Sequence, residues 1–409
     1  MRLNLKAHSP KLIAHRPKTM KGTPTISQTE QRGHSDWFIL LSILGMMFFS
    51  VAFVYSASAG FADARTGSAE TFFWSHLIRI GAGVLLLLLF ARIDYHWLER
   101  WSKPVLVLAI GMLIYVLFEG TRIKGATRWI DLGIISFQPS EVAKFALVMH
   151  LGVMLADKRG YLDDFKFAVL PMLVWIGIVA ALVALQPNLS TALVIASLGF
   201  GLLFIGKVRL WHLAAVTLPA IAGAGLYAVS AEYRMRRIMG FIGMHSGEGG
   251  GIETAGYQLK QGLLAFGSGG VFGVGPGQSH QRLFVPEPFG DFIYAIIGEE
   301  YGFAGTTFLM IVFGVIVWRG LLVARQAPDD LGRNVAAGIT MAIGLYAIVN
   351  AGVTTGLLPT TGLPMPFVSY GGSSVLFSAI AAGVLLNISR QANVMPYRQD
   401  ELNLAGAAA

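Results

Sequence analysis

Residues 281–317 read QRLFVPEPFGDFIYAIIGEEYGFAGTTFLMIVFGVIV, a polar, proline-broken loop that turns into an apolar run still carrying Asp291, Glu299 and Glu300. A helix needs about 20 predominantly apolar residues to cross a bilayer, and the run from 289 to 317 meets that length. Carboxylates at the mouth of such a segment are costly to bury, so they need partners, water or a task. A helix over 289–317 puts Asp291 in its first turn, where the positive end of the helix dipole favours an anion. Glu299 then follows eight residues on, near the same face and about 12 Å deeper by helical rise.

Similar apolar runs lie at 37–58, 72–91, 104–119, 139–156, 167–185, 190–206, 210–230, 335–357 and 371–389, making about ten candidate spans with the first. Of the 409 residues 54% are hydrophobic and only 13% charged, against about 25% charged in soluble domains. The mean hydropathy is +0.61. The fold class is therefore an all-α polytopic membrane protein, since helices satisfy their backbone internally. Ten-residue alternating segments of an outer-membrane barrel are absent.

Cysteine is absent, which excludes disulfides, thiolate nucleophiles and Cys-ligated metals. The net charge of +8 does not point to nucleic acid. Its basic residues sit in short connections and in the N-terminal tail, as the positive-inside rule requires. Residues 1–35 carry seven Lys/Arg and one acid without an apolar core for a signal peptide, and read as a disordered basic cytoplasmic tail. With that tail inside, connections 92–103, 157–166, 207–209 and 319–334 are also cytoplasmic, and each carries Lys or Arg. The membrane domain extends over 36–395, and 396–409 form a short cytoplasmic tail, so both termini are expected inside.

The opposite face receives 60–71, 120–138, 186–189, the large loop 231–288 between spans seven and eight, and 358–370. A loop of this length is expected to be functional. Within it, 232–242 suits an amphipathic surface helix and 252–266 a second short helix. GSGGVFGVGPG (267–277) reads as a tight, mobile glycine-rich turn; it lacks the lysine and strand context of a nucleotide loop.

Unusual polar residues crowd this face. Arg122, Lys124, Arg128, Gln138, Ser140, Glu141 and Lys144 form one group, Gln186 and Asn188 another, and 278–291 with Glu287 and Asp291 a third; Thr360, Thr361 and Ser369 complete them. Four separated loops presenting such groups on one side suggest a shared cavity. Glu141 and Lys144 stand three apart and meet on one helix face. They form either an ion pair that anchors packing or a lysine aimed at an anionic group such as phosphate. Arg128 beside Trp129 serves either that anion or the membrane interface. Asp291, in PEPFGD, is a helix cap, a general base for a sugar hydroxyl, or a ligand for a divalent cation at a diphosphate. One of Glu299 and Glu300 suits a bond to a neighbouring helix, and His76 and Arg79 suit packing or interfacial roles. No HExxH or close His/Asp cluster marks a tightly held metal.

FQPSEVAKFAL (137–147), QPNLSTALV (186–194), VPEPFGDFIYAIIGEEYGF (285–303) and GLPMPFVSYGGSS (362–374) resemble, in order, the motif blocks of the SEDS family of FtsW, RodA and SpoVE. The resemblance covers roughly 36–395, and the basic tail with FVSYGGSS leans to the FtsW branch. It implies a peptidoglycan glycosyltransferase of the bacterial cytoplasmic membrane, at the division septum, that polymerises lipid II into glycan strands on the outer side and releases undecaprenyl diphosphate. The family's essential acid maps onto Asp291 and its Glu/Lys pair onto Glu141 and Lys144. The remaining candidates, Arg122, Lys124, Arg128, Gln138, Ser140, Gln186, Asn188, Glu287 and Ser369, become substrate-binding. A loosely held Mg or Mn cation is implied, and no nucleotide, haem or flavin. The implied partners are a class B penicillin-binding protein and divisome regulators. Two departures stand out: the family's QPD is QPN here, placing Asn188 where relatives carry a carboxylate, and Phe289-Gly290 replaces the usual His-Thr before the acid.

A lipid II flippase, a RodA-type elongation polymerase and a non-catalytic scaffold compete with this reading. A flippase needs a polar path to both faces, whereas the polar groups here crowd one.

Overall fold

A computed structural model describes residues 33–123, 126–131, 136–230, 235, 239–242 and 254–392. Among these, nine helices are long and apolar enough to cross a membrane, and the shorter apolar Leu189–Ile205 makes a tenth segment. In chain order the helices are α1 (Trp37–Thr66), α2 (Thr71–Phe90), α3 (Trp97–Glu119), α4 (Pro139–Asp157), α5 (Leu170–Leu185), α6 (Leu189–Ile205) and α7 (Leu210–Val229). They continue with α8 (Thr254–Gly269), α9 (Ile293–Gln326), α10 (Asp330–Thr354) and α11 (Gly372–Ala392). The helix read over 252–266 is thus α8, while most of 232–242 lies outside the described residues. So do the terminal segments 1–32 and 393–409.

The bundle is organised around α4, whose most apolar window is 94% buried, against 6% for α7 at the rim. Residues Ala143 to Leu155 of α4 are almost continuously buried, because this helix is covered on every side by α3, α6 and α10. Small residues permit the close approaches: a Cβ on Gly152 would overlap Val335 of α10 at 2.7 Å. In lipid, where apolar surface gains little from association, such intimate packing supplies much of the attraction between helices.

The basic face is tied together by side chains at helix ends. The Asp36 carboxylate caps α1 at Phe38 and Ile39 N–H (3.0 and 3.2 Å) and pairs with Arg319 of α9 at 2.6 Å. Its own N–H donates to Ser389 Oγ near the end of α11 (3.0 Å). The first and last spans therefore begin and end on the same face, as the span count and charge pattern require.

Three sequence expectations are revised. The segment 120–138 is not a plain loop: β1 (Thr121–Ile123), β2 (Ala126–Asp131) and β3 (Ser136–Phe137) form a small antiparallel meander in the order β1-β2-β3. The eighth span starts later and runs further than 289–317, so α9 and α10 are joined only by residues 327–329, not by a connection over 319–334. The glycine-rich turn is a packed splice. The α9 backbone breaks at Gly302 (φ 67°, ψ −164°), and the turn inserts into the gap. Val274 and Gly275 N–H donate to the Glu299 and Glu300 carbonyls (2.9 and 3.0 Å), while Phe303 and Ala304 N–H donate to the Gly270 and Val271 carbonyls (both 2.9 Å). Both sides of the break thus find backbone partners within the protein.

Candidate active site

Asp291 sits in a turn two residues ahead of α9, which begins at Ile293 with Phe292 as its cap residue. It is therefore not in the first helical turn; the PEPFG segment ahead of it ends in a bend stabilised by Gly290 N–H to the Glu287 carbonyl (3.0 Å). The turn is fixed on three sides. Phe289 is 4% exposed and packs on Phe61, Phe72 and Tyr370 at ring separations of 5.5, 4.9 and 5.3 Å. Tyr370 N–H donates to the Phe289 carbonyl (2.8 Å). From α10, Asn350 Nδ2 donates to the Asp291 carbonyl (2.8 Å). Phe289 is thus an aromatic anchor for the turn.

Beneath the turn, the two glutamates secure the preceding loop. The buried Glu299 carboxylate accepts from Ser279 Oγ (2.5 Å), Ser268 Oγ (3.2 Å) and the His280 and Gln281 N–H groups (both 3.1 Å). Glu300 accepts from Ser56 Oγ of α1. Glu299 holds the 279–282 segment against α9 and Glu300 ties α9 to α1, so both are structural acceptors where the sequence suggested one.

Glu141 and Lys144 form an ion pair at 2.8 Å, each 3% exposed. The ammonium also lies over the Tyr346 ring of α10, 3.8 Å from its centroid, and 4.7 Å from that of Phe145. Such a pair is buried together and capped by π-faces, so each group's polar partner comes from the protein.

On the hairpin, Arg128 Nε donates to the Gln186 carbonyl (3.1 Å) and Nη2 to the Pro187 carbonyl, which locks β2 onto the α5–α6 turn. Gln186 reaches the Leu113 carbonyl of α3 (2.9 Å). Asn188 is 6% exposed and its Oδ1 accepts from Thr191 Oγ1 (2.8 Å), so the amide fills a hydrogen-bonding role there. Gln138 N–H donates to Ser373 Oγ (3.1 Å), joining the starts of α4 and α11. Ser369 Oγ accepts from Met365 N–H (2.8 Å) within the α10–α11 loop. The Ser140 hydroxyl is buried with no partner among the described residues. Glu287 is half-buried with φ 51°. Arg122 stands in β1 opposite Thr127, and Lys124 lies outside the described residues.

Two of the predicted groups, the Glu141–Lys144 pair and the Asp291 turn, therefore both lean on α10. Tyr346, over Lys144, and Asn350, on the Asp291 turn, are four apart and share a helix face. Neither was singled out from the sequence. Asn350 is nonetheless legible as an amide inside an apolar span, where polar residues carry a structural or functional reason. Tyr346 has no such signal.

Among the described residues no group of three or more His, Asp or Glu side chains forms a metal cluster. A single carboxylate at the rim fits a Mg²⁺-type ion that takes one or two protein ligands and completes its shell with substrate phosphates and water.

Residues 36–394 match the FTSW_RODA_SPOVE family, described as "Cell cycle protein". The chain is 36% identical over 365 residues to "Stage V sporulation protein E" of Bacillus subtilis, covering 88% of this chain and 99% of that one. It is 35% identical over 385 residues to "Probable peptidoglycan glycosyltransferase FtsW" of Hahella chejuensis, covering 93% and 96%. Among solved structures, RodA of Thermus thermophilus superposes with a TM-score of 0.65 at 25% identity, over 87% of this chain and 97% of that one. A chain from "Structural coordination of polymerization and crosslinking by a peptidoglycan synthase complex" shares the fold with a TM-score of 0.72 at 24% identity, over 88% and 98%.

Proposed function

Because the chain belongs to the FtsW/RodA/SpoVE family of multi-pass membrane proteins, we infer that it is a peptidoglycan glycosyltransferase that polymerises lipid II during cell division. The relatives named as such glycosyltransferases align over most of both chains, which supports the activity. The observation that carries the mechanism is the clamped turn of Asp291, an acid at the rim of a span with its backbone held by α10 and by the Phe289 cluster.

Asp291 accepts the proton of the acceptor sugar's 4-hydroxyl as that oxygen forms its bond to the donor anomeric carbon. The donor's bond to undecaprenyl diphosphate breaks in the same displacement. Arg122, which stands in β1, and Lys124 compensate charge on the departing diphosphate, while Arg128 keeps the hairpin on the α5–α6 turn. Glu141 and Lys144 form the buried pair of α4, and Gln138, Ser140, Gln186, Asn188, Glu287 and Ser369 complete the substrate-binding set. Asp291 is the residue that would hold Mg²⁺ or Mn²⁺, which when bound supplies charge neutralisation at the diphosphate.

The Lys/Arg-bearing face, with both ends of the bundle on it, is the cytoplasmic side of the bacterial inner membrane in this reading, and the Asp291 face is periplasmic. A class B penicillin-binding protein supplies crosslinking at the septum, together with divisome regulators.

The test uses the full chain copurified with its transpeptidase, labelled lipid II and divalent cation. Wild type is expected to give glycan ladders, and Asp291→Ala and Asp291→Asn to lose about 10²–10⁴-fold in rate, the usual range for removing a general base. Ladders unchanged in both variants would remove the base role. Wild type without ladders, but moving lipid II across liposomes, would replace polymerase by flippase.

A further inference from the structure

Asn350 lies one turn before the end of α10 and is 1% exposed. Its Nδ2 carries two hydrogens and donates both, to the carbonyl of Asp291 and to that of Leu363, each at 2.8 Å. With carbonyl oxygens at both contacts, only the nitrogen end of the amide can occupy this position. The two acceptors belong to different irregular segments: the turn ahead of α9, and the α10–α11 loop. That loop is sunk into protein, with Leu363, Met365 and Phe367 no more than 3% exposed. The segments also meet at Gly362, where a Cβ would stand 3.5 Å from Asp291 Oδ2.

Buried backbone of this kind must be satisfied by protein. Asn350 does so at the carbonyl of the acid itself, one peptide plane from the carboxylate that must meet the substrate hydroxyl. A shift of about 1 Å in a reacting group lowers rate by about 100-fold, so this plane governs more than stability. We propose that Asn350 is a positioning residue for glycan polymerisation: it clamps the Asp291 main chain to the Leu363 loop and so sets the direction of the carboxylate without touching substrate. The inference rests on the assignment of Asp291 as the base.

Asn350→Asp is the decisive variant, since it keeps size and shape but, when ionised, offers two acceptors to two carbonyls. Asn350→Ala removes the donors without adding charge. Each is assayed as the full chain with its transpeptidase and lipid II, at a temperature where thermal unfolding shows the variant folded. Expected is a fall in kcat of about 10–100-fold with KM within about two-fold, and a displaced acid limb of the kcat–pH profile, which reports the base. A purely structural role would lower the unfolding temperature yet leave KM, kcat per folded molecule and the acid limb in place. That result, with Asp291→Ala inactive, overturns the proposal while leaving the base intact. A wild type that makes no glycan, or an Asp291→Ala as active as wild type, overturns the base assignment and the clamp with it.

Discussion

Glu141 and Lys144 show how one pair of side chains acts within a membrane core. At 3% exposure each, neither charge is served by solvent, and each depends on the other at 2.8 Å. Removing one member leaves an uncompensated buried charge, which typically costs about 3–5 kcal/mol, whereas removing both is nearly neutral. Lys144→Met is therefore expected to lower the unfolding temperature in detergent sharply, and the double variant Glu141→Gln/Lys144→Met to recover most of it. Equal destabilisation by the single and double variants would show that the pair does not act as a unit. Tyr346 belongs to the same group: its ring lies under the ammonium, so Tyr346→Leu should weaken the site beyond its change in volume.

Among the elements, α9 is the unusual one. It is two helical pieces spliced at Gly302 by a loop that contributes hydrogen bonds to both pieces. The backbone at Gly302 falls where glycine alone is comfortable, and a Cβ there would stand 2.4 Å from Gly273 N. Gly302→Ala is expected to destabilise by about 2–5 kcal/mol, from backbone strain and overpacking combined. Hydrogen exchange should then rise at the Val274, Gly275, Phe303 and Ala304 amides ahead of the rest of the bundle. Protection unchanged at those four amides would mean that the splice does not depend on Gly302. The consequence reaches the acid, because the short piece from Ile293 carries the Asp291 turn at one end and the anchoring glutamates at the other.

The whole molecule has a polar lock at each end. On the basic face, His96 donates from its ring nitrogens to the carboxylates of Asp94 (2.7 Å) and Asp329 (3.0 Å), while Asn387 of α11 accepts from Tyr95 N–H and Gln391 donates to Asp94. Burial pulls the His96 pKa down, but its bonds to Asp94 and the charges of Asp94 and Asp329 outweigh this and the net direction is up. For Asp94, burial raises the pKa, and the His96 and Gln391 hydrogen bonds with the His96 charge bring it below its usual value. A raised histidine contributes stability that is full below its unfolded value of about 6.5 and is lost as pH climbs through the folded one. A lowered aspartate contributes stability present above its unfolded value, about 3.9, and lost as pH falls through the folded one. The lock between α2, α3 and α11 is thus strongest between those limits. The unfolding temperature of wild type should decline from mildly acidic pH into the alkaline range, and His96→Gln should flatten that decline; parallel curves would exclude His96 as its source.

The span count, the helical class and the face on which the polar groups collect were legible in the chain, because they follow from run lengths and from where Lys and Arg fall, both local quantities. The candidate acid was legible for the same reason: Asp291 interrupts an apolar run beside two prolines and a glycine. Other features depended on contacts distant in sequence. Composition made 267–277 look like a free turn, yet its N–H and C=O groups complete a broken helix. Arg128 looked free to meet an anion, yet two carbonyls of the α5–α6 turn hold it. Asn350 reads as one amide in an apolar helix until the fold brings the Asp291 and Leu363 carbonyls to its nitrogen. Hydropathy is a sum over neighbours along the chain and so declares the spans. A buried polar group is settled only by its partner, and in this bundle the partners come from other helices and loops.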